Sequence, residues 1–227
     1  SDDRMRHAKS GQWWETAAHR ALANNSVSYT EKPDIETFMR EWTALIESKS
    51  GERGIFNREA SKKQAAKYGR RDPNHEFGTN PCSEIILRPY QFCNLTEVVV
   101  RATDTIKDLE RKVKLATILG TIQSSYTKFP YLRKVWQRNT EEERLLGVSL
   151  TGIMDNQLMT TENHKLAGVL DGLRNVAVDT NAEYAALLDI PASAAITCVK
   201  PSGTVSQLVD SASGIHARHS PYYIRTV

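Results

Sequence analysis

Two residues that can act on a substrate together stand close to each other in Asn80-Pro81-Cys82-Ser83-Glu84-Ile85. The segment lies between a polar stretch and an apolar run, which predicts a loop tip carrying Cys82 and Glu84. Alternate residues of an extended chain point the same way. A sulfur that abstracts hydrogen beside a carboxylate that accepts a proton would form a two-group catalytic site. On these residues alone, a proline turn with a buried cysteine and a surface glutamate is the commoner outcome.

A second thiol and a polar turn could complete such a site. Cys93-Asn94-Leu95 begins eleven positions after Cys82, and the Pro89-Tyr90 turn between them could bring the two thiols together. A lone thiol is more often a core residue. Further on, Lys200-Pro-Ser-Gly-Thr204 stands between a predicted strand and a predicted helix, where backbone N–H groups, hydroxyls and a glycine suit a phosphate. The same residue types also serve as plain helix caps.

Helical patterns occupy much of the chain. Asp34 is a suitable N-cap for the clearest helix, and Thr140-Glu-Glu-Glu143 has the form of a capping box. The polar stretch 58–78 lacks apolar periodicity and is predicted to be a connector. Hydrophobic residues at helical spacing predict helices at 34–49, 104–126, 161–188 and, in short form, 205–209.

Short apolar runs alternate with these helices. They predict strands at 85–87, 98–100 and 196–199. Strands that alternate with helices indicate an α/β fold with mainly parallel pairing. No linker divides the chain, so a single domain over 1–227 is predicted.

The composition is that of an ordinary globular protein, with 227 residues, 40% of them hydrophobic and 25% charged. A net charge of +3 gives no case for binding nucleic acid or a membrane surface. No apolar run approaches the ~20 residues that span a bilayer, and no signal peptide is evident. Three cysteines cannot form a disulfide framework, and no His/Cys cluster predicts a metal site. A cytoplasmic protein is the default expectation.

The order Asn-Pro-Cys-x-Glu-Ile, Cys-Asn-Leu and Pro-Ser-Gly-Thr resembles that of the ribonucleotide reductases. The gap from Cys82 to Cys93 and the Lys-Pro-Ser-Gly-Thr form are most similar to the adenosylcobalamin-dependent (class II) enzymes, particularly the monomeric triphosphate reductases. The chain is therefore expected to be a central fragment of such an enzyme. Further segments that resemble the family are 24–27, 51–57, 144–148 and 213–216.

The resemblance implies a ten-stranded α/β barrel whose central finger loop matches 80–84. It implies reduction of ribonucleotides, as triphosphates, to 2′-deoxyribonucleotides for DNA precursor synthesis, with adenosylcobalamin as cofactor. Cys82 would become a thiyl radical and take the 3′ hydrogen of the ribose. Glu84 would remove the 3′ hydroxyl proton, and Asn80 would bind the substrate and orient that carboxylate. Cys93 would supply half of a reducing dithiol. The residues implied to hold the substrate phosphates are Pro201, Ser202, Gly203 and Thr204.

The resemblance also implies partners: a ribonucleotide substrate, thioredoxin or a similar dithiol reductant, and a nucleotide effector in the full-length protein. In the family order the effector region precedes residue 1, and most cobalamin-binding segments and a redox cysteine pair follow residue 227. Residues 1–227 are thus expected to be a partial catalytic barrel domain. Ser83 stands where the family usually has Gly or Ala, and no cysteine precedes Cys82 to pair with Cys93. Cys198 matches no family cysteine and is predicted to be a core residue.

Three alternatives stay open. The parent protein could reduce ribonucleoside diphosphates, as a class II or a class I enzyme. The chain could be a non-catalytic piece of a barrel that is active only with complementary chains. By itself it would be poorly soluble, because a cut barrel exposes strand edges and core. A cysteine hydrolase using Cys82 and a histidine such as His75 would leave the other motifs unexplained.

Overall fold

The structure is a computed structural model that describes residues 3–49, 52–160, 165–220, 222 and 224. The chain divides into two compact units, Ser1–Pro81 and Cys82–Val227, and each is described by itself. That they form one partial barrel domain stays a prediction. Both contain helices and strands, and the two strand pairs described below are parallel, as the sequence predicts.

The helices and strands follow one another along both units. Those of the first unit are α1 (Asp3–Arg6), α2 (Trp13–Thr16), β1 (Ser26–Tyr29), α3 (Ile35–Ser48), β2 (Gly54–Asn57), α4 (Arg58–Ala66) and β3 (Gly78–Thr79). Those of the second are β4 (Ile86–Leu87), β5 (Asn94–Val99), α5 (Ile106–Gln123), α6 (Lys134–Glu143), β6 (Leu146–Thr151), α7 (Gln157–Thr160), α8 (Lys165–Leu187) and α9 (Thr204–Leu208). Within the described residues, no helix is long and apolar enough to cross a bilayer.

A parallel strand pair and a buried ion cluster hold the first unit together. β1 pairs with β2 in the register Ser26↔Gly54, and a Cβ at Gly54 would lie 2.7 Å from the Ser26 Oγ. On α3, the buried carboxylate of Glu41 accepts hydrogen bonds at 3.0–3.2 Å from the guanidinium groups of Arg6 and Arg53. A buried charge is costly unless it is paired. The two arginines therefore allow α3 to direct a carboxylate inward.

α3 begins where the sequence predicts, but its buried side is not the predicted apolar face. Asp34 caps the helix by accepting a hydrogen bond from the Thr37 N–H at 2.8 Å. Hydrophobic residues of the predicted face, among them Ile35 and Ile46, are exposed, and the buried residue of the helix is Glu41. The ion pairs of Glu41 thus help to fix this helix in its unit, together with Phe38 and Leu45 of the predicted face, which are partly buried.

The stretch 58–78, predicted as a connector, contains the helix α4. Asn57 caps α4 by accepting a hydrogen bond from the Ala60 N–H at 2.9 Å. The buried residues of the helix are Ser61 and Ala65, four positions apart. Because its inner side carries small residues, hydrophobic periodicity gave no signal, and the prediction was wrong over these nine residues.

Three parallel segments, β5, β6 and residues 194–198, lie side by side at the centre of the second unit. β5 pairs with β6 along all six residues of each strand. Residues 194–198 run along the other edge of β6, held by backbone hydrogen bonds of 2.8–3.1 Å at Leu146 and Val148. One parallel bridge joins Val148 to Thr197. The strand predicted at 196–199 is therefore present only as this bridged segment.

Two helices cover this sheet. α5 packs on β5, β6 and α8, and it begins with a capping box in which Thr105 and Asp108 bond each other's backbone N–H. The helix predicted from 161 is α8, and residues 161–164 lie outside the described part of the chain. The hydrophobic core between sheet and helices includes Val98, Val100, Leu109, Val113, Leu146, Val148, Leu173, Ala177 and Ile196.

The capping-box pattern at Thr140 does not open a helix. Thr140 and Glu143 are buried residues in the last turn of α6, and Arg144 ends that helix with a left-handed φ of 45°. A capping Thr must lie in extended backbone before a helix. Here the same residue types instead face the interior, where the Gln91 amide donates a hydrogen bond to the Glu143 carboxylate.

Candidate active site

The loop that carries Cys82 and Glu84 is a turn and not an extended strand. Ser83 between them has a φ of 62°, in the left-handed region, so the predicted alternation does not hold. Cys82 is exposed, whereas the Glu84 side chain is only 1% exposed and Ile85 is buried. This is the reverse of a turn with a buried cysteine and a surface glutamate. An accessible thiol adjoins a buried carboxylate.

Lys200 is the partner of that buried carboxylate. Its ammonium donates a hydrogen bond to the Glu84 Oε1 at 2.8 Å, and its side chain is 31% exposed. Burial acts to lower the pKa of Lys200, but the hydrogen bond and the charge of Glu84 outweigh it, so that the pKa is raised. The lysine is therefore an ammonium at neutral pH, and its charge favours the ionised form of the carboxyl group.

The other two thiols lie around the same ion pair. Burial, and then the charge of Glu84, raises the pKa of Cys93 and raises that of Cys198 to about 12. A Cβ at Gly147 on β6 would lie 3.1 Å from the Cys198 Sγ, so Cys198 packs on the central strand. Cys198 is partly buried, and the charge of Lys200 also acts on its pKa. Both thiols are protonated at neutral pH and suit hydrogen donation better than nucleophilic attack.

Lys200 brings three of the predicted site residues together within the second unit. Its pKa also responds to the charge that Cys82 would carry as a thiolate. Glu84 is thus bonded to the Lys200 ammonium, and Cys82 and Cys93 lie within range of its charge. Sequence reasoning did not single out this lysine. The signal in the sequence was the spacing of two from Ile196 through Cys198 to Lys200. In the structure, position 196 is buried and 198 and 200 are partly buried, whereas 197 and 199 are exposed.

The predicted phosphate loop precedes the short helix α9. The N-cap residue of α9 is Gly203, and the Ser202 Oγ just before it accepts a hydrogen bond from the Ser206 N–H at 3.2 Å, so this hydroxyl satisfies an N–H of the first helical turn. Pro201, Gly203 and Thr204 are exposed, whereas Ser202 is buried. The loop thus combines the capping role that the residue types allow with an accessible glycine and threonine. Binding of phosphate there stays a prediction.

Asn80 lies in the first unit, beside a polar groove of about 340 Å³. The Asn80 Oδ1 accepts from the Thr79 hydroxyl at 3.5 Å, and the Asn24 amide donates to the Pro81 carbonyl at 3.1 Å. Two of the segments that resemble the family, 24–27 and 51–57, contribute to this groove. Its lining residues are Asn24, Ser26, Ser28, Phe56, Gly78, Thr79, Asn80 and Pro81.

A second, mainly apolar cavity of about 470 Å³ lies beside Cys198 in the second unit. Side chains of α5, β6 and α8 line it together with Thr197 and Val199, and Asp171 and Arg174 are its charged members. Among the described residues, no group of three or more His, Cys, Asp and Glu could hold a metal ion. His75, the hydrolase alternative, lies in the first unit with its ring 5.9 Å from that of Phe77.

Comparison with known proteins gives three informative matches, although no family model matches the chain. The adenosylcobalamin-dependent ribonucleoside-triphosphate reductase of Lactobacillus gasseri is 30% identical over 245 residues, covering 92% of this chain and 31% of that protein. A probable enzyme of the same name from Dictyostelium discoideum is 31% identical over 152 residues, covering 66% of this chain and 19% of that protein. The crystal structure of a B12-dependent (class II) ribonucleotide reductase superposes with a TM-score of 0.74 at 26% identity, covering 95% of this chain and 33% of the other.

These matches define the class of protein as ribonucleotide reductase. The chain has an α/β fold that fits part of the barrel of that class, and the predicted fold class is confirmed. Within that class, it is homologous to the adenosylcobalamin-dependent ribonucleoside-triphosphate reductases. The chain spans about a third of the length of the curated relatives it matches. The recognition made from the motifs is thereby confirmed.

Proposed function

We propose that the protein carrying this chain reduces ribonucleoside triphosphates to 2′-deoxyribonucleotides, with adenosylcobalamin as cofactor, for DNA precursor synthesis. The observation that carries the proposal is the meeting of an exposed Cys82, a buried Glu84 and Cys93 around Lys200. That cluster occurs in a chain homologous over 92% of its length to reductases of this kind.

Each residue of the cluster suits one step. Adenosylcobalamin, when bound, supplies the radical that converts the Cys82 thiol to a thiyl radical. Cys82 is exposed and can therefore contact the ribose, from which it takes the 3′ hydrogen atom. The Glu84 carboxylate accepts the 3′ hydroxyl proton as a general base. Cys93, whose pKa is raised, is a thiol at neutral pH and donates hydrogen as the 2′ hydroxyl leaves as water.

The remaining predicted contacts are those to the phosphates and a hydrogen bond from Asn80. The exposed Gly203 and Thr204, with Pro201 and Ser202, are proposed to hold its phosphates at the start of α9. Asn80, in the polar groove of the first unit, is proposed to hydrogen-bond the substrate. Amide and hydroxyl groups in that groove suit a polar ligand better than an apolar one.

The described residues fit the radical chemistry that the cofactor would supply, but the cavity beside Cys198 is too small for the whole cofactor. Cys82 offers an exposed thiol to a bound radical source. The cavity of about 470 Å³ beside Cys198 is of the size that accepts a drug-sized molecule, and a corrinoid with its nucleotide tail is larger. The proposal therefore assigns most of the cobalamin-binding segments to other parts of the protein.

The proposal includes partners beyond the substrate. Each turnover oxidises two thiols, of which Cys93 is one, and thioredoxin or a similar dithiol is proposed to reduce them again. A nucleotide effector is proposed for the full-length protein. The enzyme is proposed to be cytoplasmic, because protein thiols are kept reduced in that compartment.

A reduction assay on the full-length protein tests the proposal. It follows conversion of ribonucleoside tri- and diphosphates with a dithiol reductant, with and without adenosylcobalamin. Cys82→Ser should abolish the activity. Ser83→Gly is the matched control in the same turn, because glycine adopts the left-handed φ of position 83 readily, and it should retain activity.

The outcomes separate the alternatives. Triphosphate reduction that needs the cobalamin and is lost in Cys82→Ser supports the proposal. Reduction of diphosphates alone would replace the substrate, and reduction without cobalamin would indicate a metal-radical enzyme. No reduction under any of these conditions would show that the proposal is wrong.

A further inference from the structure

Lys200 reaches Glu84 from a segment 116 residues further along the chain. Its Nζ lies 2.8 Å from the Glu84 Oε1, with the carboxylate side chain 1% exposed and the lysine side chain 31% exposed. The ammonium thus enters from the surface and ends on a covered carboxylate. A carboxylate in such surroundings takes up a proton unless a cation or several hydrogen bonds stabilise its charge.

The backbone at Lys200 is held from the end of β6. Gly214 has a φ of 53°, and a Cβ there would lie 2.8 Å from the Lys200 carbonyl oxygen. The Gly214 N–H donates to the Thr151 Oγ1 at 2.8 Å, and the Ser213 hydroxyl donates to the Ser202 carbonyl. Gly214 thus packs closely against the backbone from which the Lys200 side chain extends to Glu84.

We propose that Lys200 is a positioning residue of the reductase, which keeps Glu84 ionised and oriented among the cysteines while the substrate reacts. The inference rests on the proposed function and deepens it. The 3′ hydroxyl proton passes from the substrate oxygen to a Glu84 oxygen. Lys200 stays protonated throughout and is neither oxidised nor reduced.

The charges around Glu84 decide the direction of the pH effect. Among the described residues, Glu84 interacts with Lys200 and with the thiols of Cys93 and Cys198, and Lys200 also interacts with Cys82. Cys93 and Cys198 have raised pKa values and are neutral over the working range. Lys200 therefore supplies the positive charge that favours the carboxylate. Its removal favours the protonated acid and moves the acid limb of the activity profile to higher pH.

The test compares kcat and KM across pH for the full-length holoenzyme and three variants. Lys200→Met removes the charge but keeps the chain length, and Lys200→Arg keeps the charge. Lys112→Met is the matched control, because Lys112 makes a similarly covered ion pair with Asp104, at 2.5 Å, away from the cysteines.

Lys200→Met is expected to lower kcat about 100-fold at neutral pH, the loss typical of a displaced catalytic group. Its acid limb should move up by about one pH unit or more. Lys200→Arg should restore most of kcat and the original limb, and Lys112→Met should keep the wild-type profile. In the apoprotein, alkylation of Cys93 followed by mass spectrometry should slow in Lys200→Met alone, because the lysine charge lowers the pKa of that thiol.

Several results would overturn the inference. One is a pH profile of Lys200→Met whose acid limb lies where that of the wild type does. Another is a loss of kcat that Lys200→Arg does not restore and that Lys112→Met shows to the same extent. A rise in KM at unchanged kcat would make Lys200 a ligand of the substrate instead. Each of these requires an active wild type. A wild type that reduces no ribonucleotide would instead refute the proposed function, and this inference with it.

Discussion

Replacement of Asn181 by leucine should destabilise the second unit by about 3–4 kcal/mol. The amide is fully buried on α8. Its Nδ2 donates to the Thr121 Oγ1 at 2.9 Å and to the Ser193 Oγ at 3.0 Å, and its Oδ1 accepts from the Ser193 N–H at 2.8 Å. Leucine has a similar volume but makes none of these bonds. Three bonds at ~1 kcal/mol each, and up to ~1 kcal/mol more for the stranded Ser193 N–H, give this total.

The change matters for the site because Ser193 immediately precedes the segment that carries Cys198 and Lys200. Amide hydrogen exchange in the native full-length protein is the suitable measurement, since it reports the free energy of opening for α8 and β6 separately from the rest of the molecule. Asn175→Leu is the control on the same helix, at an exposed position, where a change within about 0.5 kcal/mol is expected.

The reasoning would be refuted if Asn181→Leu lowered the opening free energy by less than about 1 kcal/mol, or by no more than Asn175→Leu does. Either result would mean that the hydrophobic gain of leucine offsets the lost hydrogen bonds. Slower ribonucleotide reduction with an unchanged opening free energy would also contradict it, because the amide would then act on the site without supporting the fold.

Three further predictions concern the same unit. Gly147→Ala places a Cβ against the Leu95 Cδ2 and should lower the opening free energy measured by hydrogen exchange by about 1–3 kcal/mol through overpacking. Gly168→Ala, with open space around position 168, should not lower it, and equal effects of the two variants would contradict this prediction. Alkylation of Cys198, with a pKa of about 12, should accelerate about tenfold per unit from pH 8 to 11, and a plateau near pH 9 would argue against that burial. The hydrogen bond from Arg218 lowers the pKa of Asp155 in the folded protein. The pair therefore adds stability at pH values above the pKa that Asp155 has in the unfolded chain, and this stability is lost as the pH falls through its lower pKa in the folded protein. The melting temperature of Arg218→Gln should therefore be lower than that of the wild type at pH 7, and the two should converge as the pH falls below about 4. A difference that stays constant with pH would exclude the ion pair as the source of the added stability.

Local signals in the sequence predicted local structure well. The Asp34 cap lies at the start of α3, and the β-branched run at 98–100 falls at the end of β5. The stripe of α5 is buried at Leu109 and Val113. These features depend on residues a few positions apart, where side-chain spacing determines the outcome. The alternation of strands and helices indicated the α/β class, and the motif order added the resemblance to part of the ribonucleotide reductase barrel.

The features that failed depend on contacts distant in the chain. The apolar face of α3 is exposed because Glu41 is the group that its unit buries. The alternation of Cys82 and Glu84 is broken by the left-handed Ser83, a conformation that serine seldom adopts. The pairing of Glu84 with Lys200 joins positions that no local pattern connects. Prediction of that contact requires knowing that residues 194–198 run beside β6.

The spacing of two along 196–200 makes the length of this segment more critical than its composition. Neighbouring residues of an extended chain face opposite sides, so a one-residue insertion between Cys198 and Lys200 would turn the ammonium away from Glu84 and leave the thiol in place. A two-residue insertion would restore the direction but not the reach. Positions 197 and 199, which are exposed, can vary in side chain without altering either group. The segment is thus tolerant of substitution between Cys198 and Lys200 and intolerant of any change in their separation.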